Sequence, residues 1–184
     1  MSTDTSGRRF ARFAPTGSPS DGYFGLPEDG LCLSVFVVVS PPGESRRALL
    51  GKIDPAGPWH EIGALNPERA RSTAGRWMLP SSQLVFFESP DDAARRILRE
   101  QLGAPELPVG APRVFSETYQ SRRHPEQTHH WDLHFVYRAE WPSSDPPHHA
   151  AWRELAFLDP ARVARSEFAR SHEEILELAG FRIG

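Results

Sequence analysis

Residues 82–104 read SQLVFFESPDDAARRILREQLGA, from Ser82 to Ala104. The middle of this stretch is written as a helix with both ends marked. Ser89 is a good cap, Pro90 suits the first helical position, and Asp92 stands three residues after the cap, at capping-box spacing. Gly103 supplies the stop. Between them Ala94, Ile97, Leu98 and Leu102 recur at helical spacing, and Arg95, Arg96, Arg99 and Glu100 cover the other sides. The spacing therefore predicts an amphipathic helix entered through a polar, capped loop.

The same stretch, preceded by Trp77-Met78-Leu79-Pro80, resembles the Nudix box. That family carries a loop–helix–loop written G-x5-E-x7-R-E-U-x-E-E-x-G-U, with U a bulky apolar residue, often after a Trp-x-Leu-Pro-Gly-Gly run. Trp77, Leu79 and Pro80 match, while Ser81 and Ser82 replace the two glycines. Glu88, Arg96, Leu98, Glu100 and Gly103 fall on the family's positions. Ile97 and Gln101 stand where two metal-binding glutamates belong, and Ala104 is smaller than usual.

The resemblance implies an α/β fold, a Nudix-like α/β/α sandwich with a mixed sheet between helices. It also implies Mg2+ or Mn2+ if the protein is hydrolytic. Magnesium takes hard oxygen ligands in octahedral geometry, which carboxylates at i, i+3 and i+4 on one helix face provide. Here that trio is Ile97, Glu100 and Gln101, so one carboxylate in three remains. Glu88 and Glu100 are the candidate catalytic residues. Arg96, which the resemblance has orienting the box carboxylates, is a candidate ligand-binding residue and a candidate ion-pair partner for Glu88.

Working outward, residues 31–39 form a nearly continuous apolar run, a strand buried on both faces. The turn Ser40-Pro41-Pro42-Gly43 and the run 48–53 predict a hairpin. Pro55, Gly57 and Pro58 open a long loop carrying Trp59 and His60. Asn66-Pro67-Glu68 starts a short helix ending at Gly75. Residues 77–80 and 84–88 read as extended, as do 113–120, 130–138 and 151–158. Asp159-Pro160 caps a short helix, and Ser171, with Glu173 and Glu174, caps a last helix ending at Gly180. Residues 1–20 read as a flexible tail, and 21–184 as a single Nudix-like domain.

A second candidate site lies in HHWDLHFVY, residues 129–137. On a strand, Trp131, Leu133, Phe135 and Tyr137 point one way, and His130, Asp132 and His134 the other. Imidazoles and a carboxylate on one face suit a transition metal, or else a polar sheet face lining a cleft. Glu117 and Tyr119, on the neighbouring run, are candidates to complete a ligand site. Trp59 is a candidate to stack on a planar ligand, or to pack in the interior.

The 184 residues suffice for one domain with a proper core. A net charge of −3 argues against nucleic acid or an anionic membrane as partner, and the single cysteine, Cys32, gives no disulfide and no reason to expect secretion. Neither a targeting segment nor an apolar run of membrane-spanning length is visible, so a cytoplasmic protein is the expectation. The partner expected is a small-molecule ligand; the sequence does not indicate an oligomeric state. Three functions stay open: a binding module without ordinary diphosphatase activity, a repurposed enzyme using His130, His134 and Glu117, and a true hydrolase using Glu88 and Glu100.

Overall fold

The computed structural model describes residues 12–13, 31–120 and 128–184, side chains at 12–13, 118–120 and 128–130 excepted. The elements are β1 (Arg12–Phe13), β2 (Leu31–Ser40), β3 (Ala48–Ile53), α1 (Trp59–Ile62), α2 (Pro67–Thr73), β4 (Ser81–Gln83), α3 (Pro90–Leu102), β5 (Arg113–Gln120), β6 (Thr128–Glu140), β7 (Trp152–Leu158) and α4 (His172–Leu178). Two single 3₁₀ turns, Pro160–Arg162 and Arg165–Glu167, join β7 to α4. The remainder of the expected 1–20 tail, the turn-rich entry at 21–30 and the loop 121–127 lie outside the described residues.

The main sheet runs β1-β2-β6-β5, with β4 also on β2. β2 and β6 are parallel over ten residue pairs; the other pairings are antiparallel. The two faces of this mixed sheet carry different helices. Val35, Val37, Val39 and Tyr137 pack with Ala93, Ala94, Ile97, Leu98 and Leu102 of α3. Phe36, Val38 and Val136 pack with Ile175 and Leu176 of α4. The strand period of two sends alternate β2 side chains to opposite helices, which gives the expected α/β/α sandwich with a mixed sheet between helices.

The predicted hairpin does not form. β3 pairs with β7 in a separate two-stranded sheet, antiparallel from Ala48↔Leu158 to Ile53↔Trp152. Pro41 and Pro42 remove two backbone donors where a hairpin ladder would begin, and the chain instead turns there, with Glu44 N–H donating to Pro41 O. A third apolar cluster lies beside this sheet, built from Ile53, Trp59, Ile62, Leu65, Met78, Ala151 and Trp152.

Three further expectations are corrected. Trp59 and His60 lie in the short helix α1, not in a loop. Residues 84–88 are not a strand: Glu88 N–H donates to Val85 O, and Phe87 sits at φ +65 in the turn between. Ser171 precedes α4 but its side chain makes no cap bond, because Arg170 and Ser171 are both left-handed (φ +55 and +57); the Ser171 carbonyl closes the first turn by accepting from Glu174 N–H. The other capping expectations hold. Asn66 Oδ1 accepts from Arg69 N–H, Ser89 Oγ from Asp92 N–H, and Asp159 Oδ1 from Ala161 N–H.

Candidate functional site

α3 carries the box residues, and the structure divides them between its surroundings. Arg96 and Glu88 form a bidentate pair: Arg96 Nε and Nη2 donate to Glu88 Oε1 and Oε2 at 2.7 and 2.8 Å. Arg96 also donates to Gln83 O at 3.0 Å and Ser82 Oγ at 3.3 Å, and Glu88 Oε2 accepts from Val85 N–H at 3.0 Å. Both side chains are nearly buried, at 6% and 13% exposure. The pair therefore ties the whole entry loop, 82 to 88, onto α3.

Glu100 stands on the next turn, 3.9 Å from Arg96 Nη1 and 3.5 Å from Arg99 Nη2. Its neighbours on the trio are different in kind. Ile97 is fully buried in the α3–sheet core. Gln101 is also fully buried, and its amide is spent on backbone. Oε1 accepts from Ser81 N–H at 3.1 Å, while Nε2 donates to Ser81 O at 2.8 Å and Ile62 O at 3.0 Å.

These residues do not fit a magnesium ion. Magnesium needs free oxygen ligands. Gln101 presents its oxygen to one N–H and its nitrogen to two carbonyls. Ile97 has no ligand atom. The Glu88 oxygens accept three N–H bonds.

The second candidate site lies on the opposite face of the sheet, toward α4. The expected alternation along β6 holds: Phe135 and Tyr137 pack on the α3 side, Val136 on the α4 side. The register sets Glu117 opposite Asp132, and Phe115 opposite His134. His134 is buried, and its Nε2 lies 3.6 Å from Glu117 Oε2. Its ring meets Phe36 edge-on, with centroids 5.4 Å apart. Tyr119 pairs in register with His130; both side chains lie outside the described residues. No group of three or more His, Cys, Asp or Glu among the described residues could hold a metal ion.

Sequence reasoning missed His172, which reaches this region from the first turn of α4. It is buried, packs edge-on against Phe36 at 5.3 Å, and its Nδ1 accepts from Leu79 N–H at 2.9 Å. Burial holds its pKa well below the ordinary imidazole value, with Arg170 and His134 lowering it further. The only sequence signal was its place after a helix cap residue. Tyr137 was read as an apolar-face residue; its hydroxyl also donates to Asp91 Oδ1 at 2.5 Å, fastening β6 to the start of α3. Burial and that carboxylate push the phenol pKa well up.

Trp59 occupies the packing position of its two readings. It is 1% exposed, its ring meets Trp152 at 4.5 Å, and its N–H donates to Ala151 O at 2.7 Å. No helix among the described residues is long and apolar enough to cross a membrane.

No family model matches the sequence, and no curated protein is similar to it in sequence. Solved structures do match. The Nudix domain of Shewanella oneidensis NrtR, complexed with ADP ribose, superposes with a TM-score of 0.54 at 17% identity, over 88% of this chain and 92% of that one. The Escherichia coli dihydroneopterin triphosphate pyrophosphohydrolase gives 0.53 at 16%, over 79% and 92%. A MutT protein from Methanosarcina mazei gives 0.55 at 14%, over 84% and 94%. Structural neighbours at this identity speak to architecture, and they agree with the sandwich and its mixed sheet: the chain has the Nudix fold.

Proposed function

We propose that the protein is a cytoplasmic small-molecule-binding module, without ordinary magnesium-dependent diphosphatase activity, whose ligand is a nucleoside diphosphate derivative. The observation that carries this reading is the state of Ile97 and Gln101. Both are fully buried, one in the apolar core and the other with its amide bonded to backbone. Hydrolysis of a diphosphate needs a cation to neutralise phosphoryl oxygens and to activate or orient water. What supports the ligand class is the Shewanella neighbour, whose domain of the same fold was solved with ADP ribose. The face we assign to the ligand is that of Glu117, Tyr119, Asp132 and His134, with Arg96 and Glu88 holding the entry loop.

The test uses ADP ribose as probe. Thermal shift and calorimetry are expected to show binding, and phosphate or AMP release in Mg2+ or Mn2+ is expected to stay at background. Turnover that a Glu100→Gln change abolishes would establish the hydrolase instead.

A second reading, a repurposed enzyme, is favoured by one feature. His134 is buried beside Glu117 at 3.6 Å, the arrangement of a base with an orienting carboxylate. Metal-independent turnover lost on Glu117→Gln would support it. Transition metal in the purified protein, absent after joint His130→Ala and His134→Ala changes, would support its metal-dependent form.

A further inference from the structure

We infer that the α3 face which would hold a cation has become the attachment site for α1, with Gln101 as the positioning residue that fixes the strap. The inference deepens the binding-module reading and rests on it for the statement that the cation is dispensable.

The attachment is specific to an amide. Gln101 Nε2 donates to two carbonyls, Ser81 O on β4 and Ile62 O at the end of α1, while Oε1 accepts from Ser81 N–H. One side chain thereby joins three elements, α3, β4 and α1. Its own backbone carbonyl accepts from Trp152 Nε1 at 2.8 Å, which brings in β7 as a fourth.

The rest of α1 is arranged to lie down on this point. Trp59 and Ile62 are its buried residues, and both pack in the cluster with Trp152. Leu65 N–H and Gly63 N–H both return to Trp59 O, so the chain leaving α1 is folded tightly back on it. Gly63 allows this: a side-chain carbon there would stand 2.6 Å from the Trp59 ring. The strap is therefore held by packing along its length and by Gln101 at its end.

A glutamate at position 101 would keep the length and shape but lose the two N–H donors. It would set a carboxylate against Ser81 O and Ile62 O in a fully buried site, and an unpaired buried charge is strongly unfavourable. Restoring the family's carboxylate would thus expel α1, not recreate a cation site.

The experiment compares the parent, Gln101→Glu and Gln101→Met. For Gln101→Glu, the melting temperature is expected to fall by about 10 °C at neutral pH. Part of that deficit relative to the parent should disappear at about pH 5, where the carboxyl protonates, and millimolar Mg2+ should not raise the melting temperature. A Gln101→Glu protein that melts like the parent, or that Mg2+ stabilises while leaving the parent unchanged, would overturn the inference. Should Gln101→Glu fail to fold, Gln101→Met carries the test through hydrogen exchange. The amides of Ile62, Gly63 and Leu65 are expected to lose protection more than those of α3 does, and equal protection in parent and variant refutes the strap. Parent turnover with Mg2+ would refute the binding-module reading alone, since it is read on a protein in which Gln101 is intact.

Discussion

At the scale of single residues, the molecule contains positions where one atom decides the outcome. Gly51 is the clearest. A side-chain carbon there would lie 2.2 Å from the Trp152 ring, which is buried and anchored through its N–H to Gln101 O. Gly51→Ala must displace that ring and its anchor together, so a loss of about 3 kcal/mol is expected in urea unfolding. Phe87 is the opposite case. It stands fully exposed at φ +65, a conformation that suits glycine and costs a bulky residue about 1 kcal/mol. Phe87→Gly removes no buried contact and is expected to leave stability unchanged or raise it by up to about 1 kcal/mol. Arg96 and Glu88 lie between these extremes. Removing Glu88 from this nearly buried, bidentate pair leaves the Arg96 charge with only the looser contact to Glu100 at 3.9 Å. Glu88→Gln is therefore expected to cost about 3 kcal/mol, measured by the same unfolding, whatever the ligand chemistry proves to be.

At the scale of elements, legibility followed locality. α3 could be read almost to the residue, because Ser89, Pro90 and Gly103 set its ends through contacts within the helix itself. The short helix α2 was legible for the same reason. The partner of β2 was not. Its apolar run announces a strand, but a strand's hydrogen bonds are satisfied equally by any neighbour, and each β2 residue pairs with the β6 residue 100 positions further along the chain. The candidate site divides along the same line. The Glu88–Arg96 pair spans eight residues and was one of the two readings that the resemblance left for Arg96. The Gln101 contacts with Ser81 and Ile62 cross 20 and 39 residues, and the Leu79–His172 bond crosses 93. A sequence names such donors and acceptors without pairing them. Tyr137 gives this scale its own test, because its hydroxyl fastens β6 to α3 through Asp91. Tyr137→Phe keeps the ring in the core and deletes only that bond. It is expected to cost about 1.5 kcal/mol and to raise hydrogen exchange in the first turn of α3 before the rest of that helix.

At the scale of the whole molecule, the same separation between local and distant contacts governs the response to pH. His172 closes the face of the sandwich opposite α3, where it packs on Phe36 of β2 and accepts the N–H of Leu79 ahead of β4. Its Nδ1 can accept only while it carries no proton, so the native state holds the ring neutral. Burial, the Arg170 charge and His134 all act in that direction. Because the folded pKa lies below the unfolded value of about 6.5, the unfolded chain binds the proton more readily. The stability this group contributes is therefore complete above about pH 6.5 and is lost as the pH falls toward the folded pKa. Between pH 7 and 5 the loss attributable to one such imidazole is at most about 2 kcal/mol. His172→Gln separates this effect from the other titrating groups, since the glutamine oxygen can still accept from Leu79 N–H but binds no proton. The variant is expected to be less stable than the parent at pH 7, with a smaller drop in urea midpoint on going to pH 5. Equal drops in the two proteins would mean that acid acts elsewhere, and that α4 does not hold its face of the sheet through a neutral imidazole.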